Sequence, residues 1–161
     1  CGGCCNHKKS WLENPTATFQ VFMNEDKKED KDCTDEDLAF LDVSAEPPTC
    51  TVHIQILQKH LGRTPIGFFL YSGYPPYNPN RYPPHVAKFI GDPWIQNRFE
   101  GKLTSGPYTI VAQTFDQNIL GDFIVHIYSD DGELVADRCI GRNGGAGGQW
   151  IKNERKQYVC L

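Results

Sequence analysis

The sequence lacks any apolar run long enough for the core of a signal peptide or for a membrane span, so neither is expected within it. It opens on Cys1 rather than methionine and is read as a fragment that carries no address of its own. It also lacks a basic excess. Lys plus Arg number 16 against 20 Asp plus Glu, a net charge of −4, which argues against a nucleic-acid partner. The seven cysteines are an odd number, scattered through 161 residues, so no disulfide framework is expected and a reducing cytosol is the preferred compartment. The Cys160-Leu161 ending excludes a prenyl anchor, because that modification needs the cysteine fourth from the end. Helical periodicity is scarce, and no internal repeat is evident.

What is present is period-two alternation between turn signals, the pattern of strands with one buried face. Phe19, Val21 and Met23 point one way, as do Val52, Ile54 and Ile56 within 50–57. The run from Pro65 to Tyr71 is apolar on both faces, as expected for a strand near the middle of a sandwich, with Gly67 marking a bulge or a close approach. Tyr108 to Phe115 reads as a strand, 116–122 as a turn, and Phe123 to Tyr128 as a further strand. Asp130-Asp131-Gly132 then reads as a hairpin turn that lets 133–136 pair back. The reading is an all-β, antiparallel sandwich. Two segments stand apart. Ser72 to Pro84 holds five prolines and three tyrosines and is expected as a long loop, or as a Pro-rich ligand for an aromatic groove. Gly141 to Gly148 holds five glycines, so the chain divides into a sandwich over 1–141 and a Gly-rich connector with a polar tail over 142–161.

The candidate chemistry centres on an acidic stretch. Glu25, Asp26, Glu29, Asp30, Asp32, Asp35, Glu36 and Asp37 are interrupted by Lys27, Lys28 and Lys31. Their mutual repulsion is relieved by a hard cation such as calcium, by a basic surface of a neighbouring domain, or by solvent. Cys1, Cys4, Cys5 and His7 invite a zinc reading, but a structural site needs a matching second pair, and the remaining cysteines are single and distant. Cys5, Asn6 and His7 have the residue types of a cysteine-protease triad, yet adjacent residues do not assemble one, so no catalytic residue is assigned. The glycines of 141–148 lack a Lys-Ser/Thr signature and read as a linker rather than a phosphate loop. His53, His60, His85 and His126 read as surface or hydrogen-bonded histidines. Trp11, Trp94 and Trp150 read as core and edge seals, Trp11 most strongly.

Taken in order, several motifs resemble one family. They are Gly2-Gly3-Cys4, Trp11 and Asn14-Pro15 leading into 19–23, the acidic run, and Val52 to His60 ending in Gln-Lys-His. Ile66-Gly67-Phe68 and the closing set Gly106-Pro107-Tyr108, Thr114-Phe115 and Gly121-Asp122-Phe123 follow. This succession, over roughly 1–139, is similar to domain III of calpains, the intracellular cysteine proteases. The resemblance implies an antiparallel sandwich of about eight strands, akin to calcium- and phospholipid-binding domains. It further implies a non-catalytic regulatory role beside the protease core of the same polypeptide, in the cytoplasm or peripheral at an anionic phospholipid surface. The eight carboxylates would bind calcium or make an interdomain contact. The glycine-rich stretch stands where a calmodulin-like calcium domain would follow, which suggests an unconventional calpain. The alternative is a protein-interaction or structural module without proteolytic activity.

Overall fold

The computed structural model describes residues 10–23, 46–58, 65–74, 85–88, 96–114, 116–119, 122–141 and 147–160. Alternation builds most of it. In β1 (Thr16–Phe22), Ala17, Phe19 and Val21 are buried, and in β2 (Thr49–Gln58), Cys50, Val52, Ile54 and Ile56 are. β3 (Ile66–Ser72), β4 (His85–Lys88), β5 (Gln96–Thr104), β6 (Gly106–Thr114), β7 (Phe123–Ser129), β8 (Glu133–Ile140), β9 (Trp150–Lys152) and β10 (Tyr158–Cys160) complete two antiparallel five-stranded sheets. Their orders are β4-β3-β6-β1-β8 and β5-β2-β7-β10-β9. Phe19, Phe68 and Ile110 from the first sheet meet Ile54, Leu103 and Ile127 from the second in one core. The expected all-β antiparallel sandwich is therefore the observed fold. The described residues carry ten strands where about eight were expected.

β3 is buried on both faces, as expected, and the reason lies outside the sheet. A 3-10 turn at Trp11–Glu13 lays the indole over the outer face, where Trp11, Phe69, Tyr71 and Val111 form a second cluster. The indole is edge-on to Phe69 at 6.1 Å and to Tyr71 at 6.0 Å, and its Nε1 donates to Gln113 Oε1 at 3.0 Å. The core role expected of Trp11 is thus met on the far side of the sheet from the main core. Gly67 does not mark a bulge. It pairs in register with Gln113, and the irregularity of β3 falls between Leu70 and Tyr71, on its β4 side.

The Asp130-Asp131-Gly132 segment also differs from the expected hairpin. β7 pairs with β2 and β10, whereas β8 pairs with β1, so the turn is a corner where the chain changes sheets. Gly132 has no positive φ. Its service is close approach, because a Cβ there would meet Cys50 Sγ at 2.7 Å. A positive φ occurs instead at another crossover, where Gly106, at φ 136, turns the chain from β5 into β6.

The segment expected as a polar tail supplies β9 and β10. Tyr158 and Cys160 are buried, and β10 lies between β7 and β9. The cysteines likewise depart from the expectation of no disulfide, since Cys139 on β8 is joined to Cys160 on β10. A bulge makes this meeting possible. Ala17 faces Cys139 and Phe19 faces Ala136, so Asp137 and Arg138 together oppose Thr18. Thr18 Oγ1 accepts from Arg138 N at 3.0 Å and fills the gap. The extra residue resets the alternation of β8 and turns Cys139 inward against the core.

Candidate functional site at an acidic corner

The eight carboxylates Glu25, Asp26, Glu29, Asp30, Asp32, Asp35, Glu36 and Asp37 lie outside the described residues, as do Cys1, Cys4, Cys5, His7, His60 and Trp94. The structure does place both flanks of the acidic segment. Phe22, at the end of β1, stands opposite Glu133, the first residue of β8. On the return side, Cys50 packs against Gly132, and Thr51 N donates to Asp131 Oδ1 at 2.8 Å. Asp130 N in turn donates to Thr51 O at 3.2 Å. Phe22 and Thr51, on either side of residues 24–45 in sequence, therefore both meet the corner between β7 and β8.

That corner carries carboxylates of its own. His53 Nε2 lies 2.9 Å from Asp130 Oδ2, its Nδ1 lies 3.7 Å from Glu100 Oε2, and its ring stacks on Tyr128 at 4.5 Å. The imidazole thus ties β5, β2 and the corner together on the outer face of the second sheet. Ser129 Oγ closes the turn, accepting from Gly132 N at 2.9 Å and donating to Gly132 O at 2.7 Å. Beneath, burial pushes the Cys50 thiol above its ordinary pKa of 9.0, reinforced by the charge of Asp131.

A polar cavity of about 350 Å³ opens beside the corner, with Asp130, Asp131 and Glu133 on one side and Lys152, Arg155 and Lys156 on the other. Lys152 ends β9, and Arg155 and Lys156 sit on a built turn between β9 and β10. Asn153 Oδ1 accepts from Arg155 N and from Gln157 N, each at 3.0 Å, and Lys156 adopts φ 58. Among the described residues, no three His, Cys, Asp or Glu side chains are grouped to hold a metal ion.

Asp130 and Asp131 enter the sequence reading only as turn formers, because their contacts with Thr51 depend on the chain returning to the corner in β2. The histidines behave as expected where their side chains are described: His126 Nε2 lies 3.3 Å from Gln157 Oε1, and His53 is paired as above. At the same end of the first sheet, where Gln20 pairs with Pro107 and Phe22 with Glu133, the root of the Pro/Tyr segment is fastened to β6. Gly73 N donates to Pro107 O at 2.8 Å, and Thr109 Oγ1 donates to Gly73 O at 2.7 Å. Tyr74 is 43% exposed and its hydroxyl accepts from Gln20 Nε2. Among the described residues, no helix is long and apolar enough to cross a membrane.

Residues 1–128 match the family model for calpain large subunit, domain III. The chain is also 28% identical over 151 residues to the calpain-2 catalytic subunit of Gallus gallus, a match covering 80% of this chain and 19% of that protein. The chain therefore spans about a fifth of the length of that curated relative.

Proposed function

Since the chain belongs to the calpain large subunit domain III family, we propose that it is the non-catalytic regulatory module of a calpain-like cysteine endopeptidase, acting through its acidic corner. The observation that supports this reading is that Phe22 and Thr51, on either side of the acidic segment in sequence, both meet the corner that carries Asp130, Asp131 and Glu133. Such a corner attracts basic residues of a neighbouring protease core. Calcium that neutralises it weakens that contact and shifts the population of domain arrangements, by as much as its affinity differs between them. Lys152, Arg155 and Lys156, on the adjacent turn, supply the cations for an anionic phospholipid surface.

Calorimetric titration of the chain with calcium, beside a variant with the eight carboxylates of 25–37 changed to Asn and Gln, tests direct binding. Heat is expected from the parent sequence and not from the variant. Heat from neither removes direct calcium binding and leaves the electrostatic contact with the core as the mechanism. Co-sedimentation with phosphatidylserine vesicles, lost on substituting the three cations, tests the membrane arm; equal sedimentation of both proteins removes it.

A second reading, a protein-interaction module, draws support from Tyr74, exposed at the fastened root of the Pro/Tyr segment. It predicts partner capture that survives neutralisation of 25–37 and is lost when 75–84 is shortened. Capture that follows the acidic segment instead excludes it.

A further inference from the structure

Cys139 and Cys160 sit on different sheets, β8 in the first and β10 in the second, and their Cα atoms are 7.1 Å apart. Their meeting depends on two separate features. The bulge opposite Thr18 turns Cys139 inward, and the pairing of β10 with β7 puts Cys160 against Val125. The pair is also reachable. Both cysteines line an open cavity of about 280 Å³ between the sheets, together with Ile110, Phe123, Val125 and Gly147. Cys139 is only partly buried, and it lines that cavity. Cys50, by contrast, is a buried free thiol.

The element this bond fastens is slight. β9 and β10 are three residues each, and β10 holds to the sandwich through three register pairs with β7. Its other attachments are the burial of Tyr158, the edge-on packing of Trp150 against Tyr158 at 6.4 Å, and Lys152 Nζ over the same ring at 5.1 Å. A covalent tie across 21 residues, many of them in the glycine-rich stretch, restricts this hairpin far more than those contacts do.

We propose that Cys139 and Cys160 form a reversible redox site that latches the β9–β10 hairpin across the sandwich, with a hydroperoxide as oxidant and a dithiol as reductant. The Cys139 thiolate attacks the peroxide oxygen and the O–O bond breaks. Cys139 becomes a sulfenic acid, and the departing oxygen leaves as water or alcohol. The Cys160 sulfur then attacks the sulfenic sulfur, the S–S bond forms, the S–O bond breaks, and water leaves. Two thiols have lost two protons and two electrons, and the peroxide has taken both. A dithiol reverses the step by thiol–disulfide exchange and is itself oxidised to a disulfide. In the dithiol form β10 is held by its strand pairing and side-chain packing alone. Its opening exposes the edge of β7 and one wall of the cavity.

The test uses the 161-residue chain, reduced with dithiothreitol and then exposed to hydrogen peroxide, with iodoacetamide alkylation read peptide by peptide. Peroxide is expected to link the peptides holding Cys139 and Cys160 and to protect both from alkylation, and dithiothreitol to reverse this. Amide hydrogen exchange over 150–160 should be about tenfold or more faster in the reduced chain. Cys139→Ser should give the fast pattern with or without peroxide. Alkylation of both cysteines after peroxide overturns the redox site. Equal exchange of 150–160 in the two forms of the unsubstituted chain overturns the latch, independently of how the variant folds.

Discussion

Replacing Trp11 with Phe separates packing from hydrogen bonding in the cluster on the outer face of the first sheet. Trp11 is 1% exposed and its indole Nε1 donates to Gln113 Oε1 at 3.0 Å, with Gln113 itself buried. The smaller ring retains contact with Phe69 and Tyr71 but loses buried apolar area worth about 1–2 kcal/mol. It also leaves the Gln113 oxygen without that donor, at a cost of about 1–3 kcal/mol. The sum is about 3 kcal/mol, or a fall in Tm of roughly 6–12 °C for a domain of this size. Adding Gln113→Leu to Trp11→Phe removes the stranded polar group and should recover about 1 kcal/mol. Urea unfolding followed by circular dichroism measures all three variants, with the m-value as a check that the denatured state is unchanged. A Trp11→Phe variant within about 0.5 kcal/mol of the parent, or simple additivity of the two substitutions, would show that the buried indole–amide bond does not stabilise this face.

Two further outcomes follow from the corner and the tail. The Cys50 pKa is raised in the folded chain, so the native state keeps a proton that the unfolded chain releases near pH 9.0. The associated stabilisation is complete below that pH and is lost as pH rises through the folded pKa. Stability measured from pH 8 to 11 should therefore fall less steeply in Cys50→Ala than in the parent, and identical slopes would show that Cys50 does not titrate this way. At Gly147, an added Cβ would collide with the Cys139 carbonyl. Gly147→Ala should destabilise by about 1–3 kcal/mol and speed exchange over 150–160, and a variant of unchanged stability would show that the chain at Gly147 yields without cost.

How far the fold was legible depends on how local its signals are. β1, β2 and β7 announce themselves because alternate residues face a core and the intervening ones do not, and β3 and β6 because they are short apolar runs buried on both faces. β5 is harder: Phe99 and Leu103 alternate with Arg98, Glu100 and Lys102, but Gly101 interrupts the apolar face, and its ring contact is with Phe99. The corner at Asp130-Asp131-Gly132 misleads because Asp-Gly favours a hairpin locally. The choice of sheet is instead set by partners distant in sequence, β1 for one side and β2 for the other. Three-residue strands such as β9 and β10 have no period to detect, and the glycines before them read as a linker. For the site, the charge of 25–37 is visible in composition, whereas the contribution of Asp130 and Asp131 needs the three-dimensional meeting of four strand ends. The Cys139–Cys160 pairing was illegible for a similar reason, since it depends on a bulge that reverses the alternation of β8.

The proposed function holds that the acidic segment couples calcium to a protease core in the same polypeptide. Proteolysis by the full-length polypeptide, titrated with calcium and compared with a form carrying Asn and Gln at the eight carboxylates of 25–37, tests it most directly. The calcium concentration for half-maximal activity should move by about tenfold, the shift of a coupling near 1.4 kcal/mol, while the maximal rate is kept. Superimposable calcium curves from the two proteins would contradict it.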